Sequence, residues 1–177
     1  MADKALFLDR DGIMNVDYGY VYKVENFEFT EGIFELLQLF IAEGYKLFIV
    51  TNQSGIGRGY YMQEEFFTLT EWMLGEFQKR KIEIVSVHHC HHAPEAKCNC
   101  RKPQTGMVDE ILAHNEIDLA NSWLVGDKQS DIDLARNSGI AQTIAIGERE
   151  IENAIYSFGT ILELKCFLEE NRDVIKG

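Results

Sequence analysis

The sequence predicts an α/β fold in which helices cover both faces of a mostly parallel central sheet. Three observations predict it. Short apolar runs with strand character recur along the chain, segments with helical period lie between them, and no linker or internal repeat interrupts the alternation. The predicted strands are residues 5–8, 46–50, 84–87, 122–125 and 142–146. Because strands that alternate with helices form parallel sheets, this order favours one layered α/β unit.

The helical segments are recognised by period and by their ends. The second one, residues 63–79, is the clearest, because it places Phe66, Leu69, Met73 and Phe77 on one face. The first, residues 33–43, ends before Gly44, which is a usual helix stop. We predict further helices over residues 106–114 and 130–137, and a last one that begins after Thr160.

Length and charge limit the organisation of the chain and its partners. With 177 residues, 46% of them hydrophobic, the chain suffices for one core, so we expect a single domain over residues 1–177. Its 17 basic and 29 acidic side chains give a net charge of -12, which disfavours a nucleic-acid partner. The first apolar run is too short for a signal peptide or a membrane span. We expect a cytoplasmic monomer without membrane or nucleic-acid partners.

Two acidic residues follow the first predicted strand. Ligands of parallel sheets bind at the carboxyl ends of the strands, so the polar residues at those ends are the candidates for function. Asp9 and Asp11 lie two residues apart, and in extended chain such side chains can converge on one point. The pair suits a hard cation, or a nucleophile with an acid/base neighbour. A polar turn is the alternative interpretation.

Polar residues also follow the second and fourth predicted strands. Residues 51–59 carry a hydroxyl, two amides and alternating glycines, which can turn backbone N–H groups toward phosphate oxygens or form an ordinary loop. After the fourth strand, Asp127 could complete a magnesium site with Asp9. For Asp131 two interpretations stay open: a group that supports the site, or an acid in the first turn of a helix.

A cysteine cluster precedes two cations. Cys90, Cys98 and Cys100 lie within eleven residues, and three thiolates with one imidazole predict a closed, tetrahedral, structural Zn²⁺ site. His92 is the preferred fourth ligand because it lies two residues from Cys90, and the competing histidines are His88, His89 and His91. Cys166 stands apart and is interpreted as core filler. The metal loop would hold Arg101 and Lys102 rigidly, and both could stabilise a transferring phosphoryl group.

Together these motifs resemble those of haloacid dehalogenase superfamily phosphatases, in the same order along the chain. The resemblance implies a Rossmann-like three-layer sandwich. It is capless here, because the stretch 13–32 has no room for an inserted domain. It also implies Asp9 as nucleophile and Asp11 as general acid/base, with Thr51, Arg101 and Lys102 stabilising the phosphoryl group. Magnesium would be held by the Asp9 side chain, the Asp11 carbonyl and the Asp127 side chain.

Within that superfamily the chain is similar to the histidinol-phosphate and heptose-bisphosphate phosphatases, which share the zinc loop followed by Cys-Arg-Lys-Pro. Residues 15–21, 51–59 and 69–73 carry the likeness to the heptose-bisphosphate branch. It implies removal of the 7-phosphate from D-glycero-D-manno-heptose 1,7-bisphosphate, a step toward the nucleotide-activated heptose of lipopolysaccharide core. The implied substrate contacts are Asp17, Tyr18, Gly19, Tyr20, Asn52, Gln53, Ser54, Arg101, Lys102 and Lys128.

Three other functions are compatible with some of these motifs. Only five residues separate His92 from Cys98, a short form of the loop that resembles the histidinol-phosphate branch, so a histidinol-phosphate phosphatase stays open. A phosphorylatable receiver domain carries its acceptor on a middle strand and has no zinc loop. A non-catalytic zinc-binding module would not need every catalytic motif, yet all of them are present here. The tyrosines at positions 18, 20 and 22 could line the entrance to the site or pack as one face of a loop.

Overall fold

A six-stranded parallel sheet forms the centre of the computed structural model, which describes residues 1–177. Every pairing between neighbouring strands is parallel. The strands are β1 (Ala5–Leu8), β2 (Lys46–Asn52), β3 (Ile84–Cys90), β4 (Trp123–Gly126), β5 (Gln142–Ile146) and β6 (Tyr156–Phe158). The helices are α1 (Ile33–Ala42), α2 (Ser54–Gly57), α3 (Gln63–Gln78), α4 (Gly106–His114), α5 (Gln129–Ser138) and α6 (Ile161–Glu170).

Strand β1 shows why the sheet has helices on both sides. Its four residues are fully buried, and they alternate between two hydrophobic clusters. Leu6 and Leu8 belong to the larger cluster, to which α1, α3 and α6 contribute, whereas Ala5 and Phe7 belong to the cluster formed with α4 and α5. Because successive side chains of a strand point to opposite faces, this alternation requires a helical layer on each face. The predicted three-layer α/β sandwich is confirmed.

The order of the strands positions the site. The sheet runs β3-β2-β1-β4-β5-β6, so the chain moves outward from β1 to β3 and then crosses to β4 on the other side of β1. At such a switch point the connections leave in opposite directions and open a crevice at the carboxyl ends of the strands. Between β1 and α1 there is no inserted domain, only one 3₁₀ turn at Val24–Asn26, so the fold is capless as predicted.

Several elements differ from the prediction. Strands β2 and β3 extend beyond their apolar runs, because the main chains of Thr51 and Asn52 pair with His89 and Cys90. The edge strand β6 and the single-turn helix α2 were not predicted. None of the helices has the length and hydrophobicity needed to cross a membrane.

The interpretation of Cys166 as core filler is wrong. Helix α6 buries Ile161, Leu164 and Leu168, which recur at helical spacing along one face. Cys166 lies off this stripe and its side chain is exposed.

Candidate active site

Three carboxylates meet in the crevice between the ends of β1 and β4. Asp9 follows β1, Asp127 follows β4, and Asp131 lies in the first turn of α5; one carboxylate oxygen of each lies within 4.8 Å of the others. All three residues are buried. Burial raises the pKa of Asp9 well above its usual value, and the charges of Asp131 and Asp127 add to this despite the opposing charge of Lys102. Burial and the neighbouring Asp131 also raise the pKa of Asp127. Such crowded carboxylates favour a bound cation.

Lys102 is the buried counter-charge of this group. Its Nζ atom lies 3.0 Å from Asp9 Oδ1 and donates hydrogen bonds to Asp131 Oδ1 at 2.6 Å and to the Val50 carbonyl at 3.0 Å. Burial alone would lower the pKa of Lys102, but Asp131 and Asp9 outweigh it and raise the pKa. The ammonium group is therefore charged and fixed beside Asp9.

Asp131 fulfils both interpretations that the sequence leaves open. Its Oδ2 atom accepts hydrogen bonds from the backbone N–H groups of Asp127 and Lys128, each at 3.1 Å, as an acid at the start of a helix does. Its other oxygen binds Lys102. Gly126 permits this approach, because a Cβ atom there would lie 2.3 Å from Asp131 Cβ. Asp131 therefore ties the start of α5 to the buried lysine.

The loop after β2 connects the second acid to the site. Gln53 Nε2 donates to Thr51 Oγ1 at 2.9 Å and to Asp11 Oδ2 at 3.0 Å. Asn52 Oδ1 accepts from the backbone N–H of Lys102 at 3.0 Å. The Asp11 carboxylate does not belong to the group of three buried carboxylates; its other oxygen accepts from Arg10 and Asn15. Asp9 and Asp11 thus have separate surroundings, although they are two residues apart.

The predicted substrate residues differ in their exposure. The segment Asp17–Tyr20 is exposed, with the backbone N–H of Gly19 donating to Asp17 Oδ1 at 3.0 Å. Tyr18 hydrogen-bonds Glu28, and Tyr20 meets Tyr60 edge to face, with ring centroids 4.8 Å apart. The three tyrosines take part in a groove and in ring packing. Tyr18 and Tyr20 line a groove, whereas the ring of Tyr22 also stacks on Tyr61.

Three further residues of the predicted substrate site are Ser54, Lys128 and Arg101. Ser54 begins α2, and Lys128 lies exposed just before α5. Arg101 is half-buried, and its Nη1 atom is buried without a hydrogen-bond partner in the protein. A buried, unpartnered guanidinium nitrogen next to Lys102 suits an anionic ligand.

The structure also brings together the four predicted metal ligands Cys90, His92, Cys98 and Cys100. Their ligand atoms lie within 4.8 Å of one another, with Cys90 Sγ 3.5 Å from Cys98 Sγ and His92 Nδ1 3.3 Å from Cys100 Sγ. A tetrahedral ion with metal–sulfur bonds of about 2.3 Å requires sulfurs that are close in this way. The group could therefore bind a metal ion.

The surroundings shift the pKa values of the thiols and engage two of the competing histidines elsewhere. Burial raises the pKa of Cys90. Burial also opposes ionisation of Cys98, but hydrogen bonds from the Arg101 backbone and the neighbouring thiols outweigh it and lower its pKa to about 6. His88 contacts Glu110 and Ser86 instead, and the ring of His89 packs on Phe66.

Comparisons with known proteins agree with this geometry. The HAD-hydrolase-like family profile matches residues 99–148. The D-glycero-alpha-D-manno-heptose-1,7-bisphosphate 7-phosphatase of Campylobacter jejuni is 45% identical over 171 residues, 96% of this chain and 98% of the relative. The D-glycero-beta-D-manno-heptose-1,7-bisphosphate 7-phosphatase of Helicobacter pylori is 40% identical over 175 residues, 98% of each chain. The chain belongs to the haloacid dehalogenase superfamily. It is a phosphatase, a hydrolase of phosphoric monoesters.

Solved structures of the superfamily share the fold of this phosphatase. A HAD-like phosphatase from Mesorhizobium loti superposes with a TM-score of 0.82 at 27% identity, covering 96% of this chain and 87% of the other. The D,D-heptose 1,7-bisphosphate phosphatase of B. bronchiseptica, complexed with magnesium and phosphate, gives a TM-score of 0.80 at 22% identity. That match covers 95% of this chain and 99% of the other.

Two arginines that contact the acids of the site were not predicted from the sequence. Arg149, after β5, donates to the backbone carbonyl and the Oδ2 atom of Asp127, both at 3.1 Å, and no pattern in its acidic surroundings signals this. The Oδ1 atom of Asp127 is buried and has no partner in the protein. Arg10 is almost completely buried beside Asp11. The position of Arg10 between two acids in the sequence could have drawn attention to it, but nothing in the sequence indicates that its side chain is buried.

Proposed function

We propose that the chain removes the 7-phosphate of D-glycero-D-manno-heptose 1,7-bisphosphate on the route to nucleotide-activated heptose for lipopolysaccharide core. The observation that carries the chemistry is the buried Asp9 carboxylate, held beside Lys102 at the end of β1. The substrate is inferred from the relatives, which match almost the whole chain and act, by their names, on the two anomers of this sugar.

In the proposed reaction Asp9 is the nucleophile. Its carboxylate oxygen forms a bond to phosphorus while the bond from phosphorus to the sugar oxygen breaks, and Asp11 gives its proton to that oxygen. Asp11 then takes a proton from the water that attacks the resulting aspartyl phosphate, so that inorganic phosphate leaves. Thr51, Arg101 and Lys102 stabilise the phosphoryl oxygens throughout.

The surroundings of Asp9 suit Mg²⁺. Crowded acids with raised pKa values and the unpartnered Asp127 Oδ1 atom are features that a hard cation would satisfy. The Asp9 and Asp127 side chains and the Asp11 carbonyl would hold the ion. When bound, it supplies positive charge that offsets the charge developing on the phosphoryl group.

The four residues Cys90, His92, Cys98 and Cys100 fit structural Zn²⁺. A site with four protein ligands has no open position for chemistry, so its role is to hold the loop. Since Cys100 immediately precedes Arg101 and Lys102, the ion would fix the two cations that meet the phosphate. Reduced thiols of this kind also support a cytoplasmic location. We propose that the chain acts there as a single domain and a monomer.

Substrate would be selected by loops, because the fold lacks a cap. The exposed segment Asp17–Tyr20 contributes Tyr18, Gly19 and Tyr20 to the groove, whereas Asn52 ends β2 and is followed by Gln53 and Ser54. The cations Arg101, Lys102 and Lys128 would meet phosphate oxygens.

An assay of phosphate release tests this function. Both anomers of the heptose bisphosphate and histidinol phosphate would be compared by kcat/KM, with and without Mg²⁺. We expect a heptose bisphosphate to be preferred and turnover to require Mg²⁺. The short loop between His92 and Cys98 favours histidinol phosphate as the second candidate, and a wide margin for that substrate would refute the heptose assignment.

A further inference from the structure

Arg10 lies between the two acids of the site, yet its side chain is enclosed by protein. The residue is 1% exposed. Its Nη2 atom donates to Asp11 Oδ1 at 2.8 Å and to the Val21 carbonyl at 2.6 Å. The Nη2 atom of Arg10 thus links the Asp11 carboxylate to the main chain at Val21, which lines the groove.

Aromatic rings fix this guanidinium group. Its central carbon lies 5.9 Å from the ring centroids of both Phe27 and Phe66. Phe66 is itself held in the core by α3 and packs on His89. Cation–π contacts with two buried rings restrict the guanidinium group more than a surface ion pair does.

The remaining contacts of Asp11 complete a rigid network. Asn15 Nδ2 donates to the same carboxylate oxygen as Arg10, at 3.0 Å, and Gln53 Nε2 donates to the other oxygen. Tyr61 in turn donates to Gln53 Oε1, which fixes the amide. Because Gln53 also binds Thr51, the orientation of Asp11 is set relative to the residue proposed to bind the phosphoryl group.

We propose that Arg10 is a positioning residue that aims the Asp11 carboxyl group at the leaving oxygen of the substrate. The inference rests on the proposed function, in which Asp11 protonates that oxygen as its bond to phosphorus breaks. A buried charge is costly unless it is paired, and Arg10 has one carboxylate partner, Asp11. Without the guanidinium group, Asp11 keeps two amide donors but loses its only ionic partner, so its orientation would relax.

Substrates with different leaving groups test this role. A sugar alkoxide needs the proton from Asp11, whereas p-nitrophenolate leaves without one. In Arg10→Met we expect kcat/KM for the heptose bisphosphate to fall about 100-fold, the lower end of general acid catalysis, and that for p-nitrophenyl phosphate to fall less than about 3-fold. The ratio of the two values is measured on one preparation, so it does not depend on the fraction of active protein.

Three variants control the experiment. Arg172→Met removes a partly buried arginine that binds Glu43 at the opposite end of the sheet, and it should leave the ratio unchanged. In an Asp11→Asn background, Arg10→Met should cause no further loss on the sugar substrate, since the two residues act as a unit. Arg10→Lys keeps the charge without the planar fork and should lower the ratio about 10-fold, which provides the test if Arg10→Met does not fold.

The outcomes separate the two proposals. An equal fall on both substrates, or an unchanged ratio in Arg10→Lys, would show that Arg10 serves the fold alone. A wild-type protein that hydrolyses p-nitrophenyl phosphate but not the heptose bisphosphate would instead refute the proposed function.

Discussion

At the scale of single residues, the site is a balance of buried charge. Asp9, Asp127 and Asp131 crowd one space, and Lys102 offsets part of their repulsion. Removing one member of a buried ionic group leaves its partners without compensation, which costs far more than the loss of a surface pair. Lys102 is therefore expected to support the stability of the fold as well as the proposed chemistry.

Lys102→Met should destabilise the fold strongly. We expect the free energy of unfolding at neutral pH to fall by about 3–5 kcal/mol, because Asp9 and Asp131 lose their counter-charge. The loss should shrink as the pH falls, since protonation of the carboxylates removes the unpaired charge. Urea unfolding at several pH values measures this loss of free energy. Lys79→Met, which breaks the exposed pair with Glu76, should cost no more than about 1 kcal/mol, and equal losses in the two variants would contradict the expectation.

Asp9→Asn should separate chemistry from stability. It removes the proposed nucleophile, so we expect turnover to fall more than about 10³-fold. It also removes a carboxylate whose pKa is raised by burial, so the melting temperature should not decrease and bound zinc should be retained. Phosphate release, calorimetry and metal analysis measure the three quantities. Substantial residual turnover would exclude Asp9 as the nucleophile.

The residue types of the site were predictable, but their contacts were not. Asp9, Asp127 and the cysteines follow strands or share a short loop, so local spacing was enough to select them. The contacts of Arg10 with Phe66, or of Arg149 with Asp127, join segments far apart in the chain and depend on packing. Asp131 makes both a capping contact and an ionic contact. The sequence suggested the two roles as alternatives, whereas the structure combines them.

At the scale of elements, the cysteine loop and the end of β2 with its following loop hold the residues that we propose to bind phosphate. The backbone N–H of Lys102 binds Asn52, and its side chain reaches the Val50 carbonyl of β2. Gly57 of α2 packs so closely on the cysteine loop that a Cβ atom there would lie 2.6 Å from the Ala93 nitrogen. A disturbance of either loop should therefore reach the other.

Removal of the proposed Zn²⁺ ion tests this dependence. Because metal binding to such a loop contributes directly to folding, a strong chelator should lower the melting temperature and the turnover together. Both should recover when the chelator is removed and Zn²⁺ is added back, with turnover assayed in excess Mg²⁺ throughout so that only the zinc content differs. Cys166→Ser, which changes an exposed cysteine outside the cluster, should behave as wild type in every measurement. Identical melting temperatures with and without the chelator would argue against a structural metal.

The predicted elements were correct where the hydrophobic pattern is long. Helix α3 buries the four residues that its period selected. Strand β6 has three residues, too few for a pattern, and owes its place to pairing with β5. The polar ends of β2 and β3 were missed because pairing, rather than hydrophobicity, extends them.

At the scale of the whole molecule, the parallel sheet and the helical layers were predictable from the alternation of elements, whereas the order of the strands was not. Any of several orders would bury the same runs. The observed order puts β1 between β2 and β4, which is what brings Asp9 to both Thr51 and Asp127.

The net charge of -12 bears on association. Like charges on separate copies repel, so we expect the protein to sediment as one chain of 20.3 kDa over a wide concentration range. Sedimentation equilibrium at low salt measures this. A mass that approaches twice that value at micromolar concentration would contradict the proposed monomer.

The central position of β1 also has a consequence during synthesis. This strand is synthesised well before its partner β4; Ala5 and its hydrogen-bond partner Ser122 lie 117 residues apart. Until β4 is synthesised, the nascent chain exposes one edge of β1, its most buried strand. Such an edge is prone to aggregation and can be bound by chaperones. A product truncated before β4 would carry Asp9 but neither Asp127 nor Asp131, so an incomplete chain should be catalytically silent.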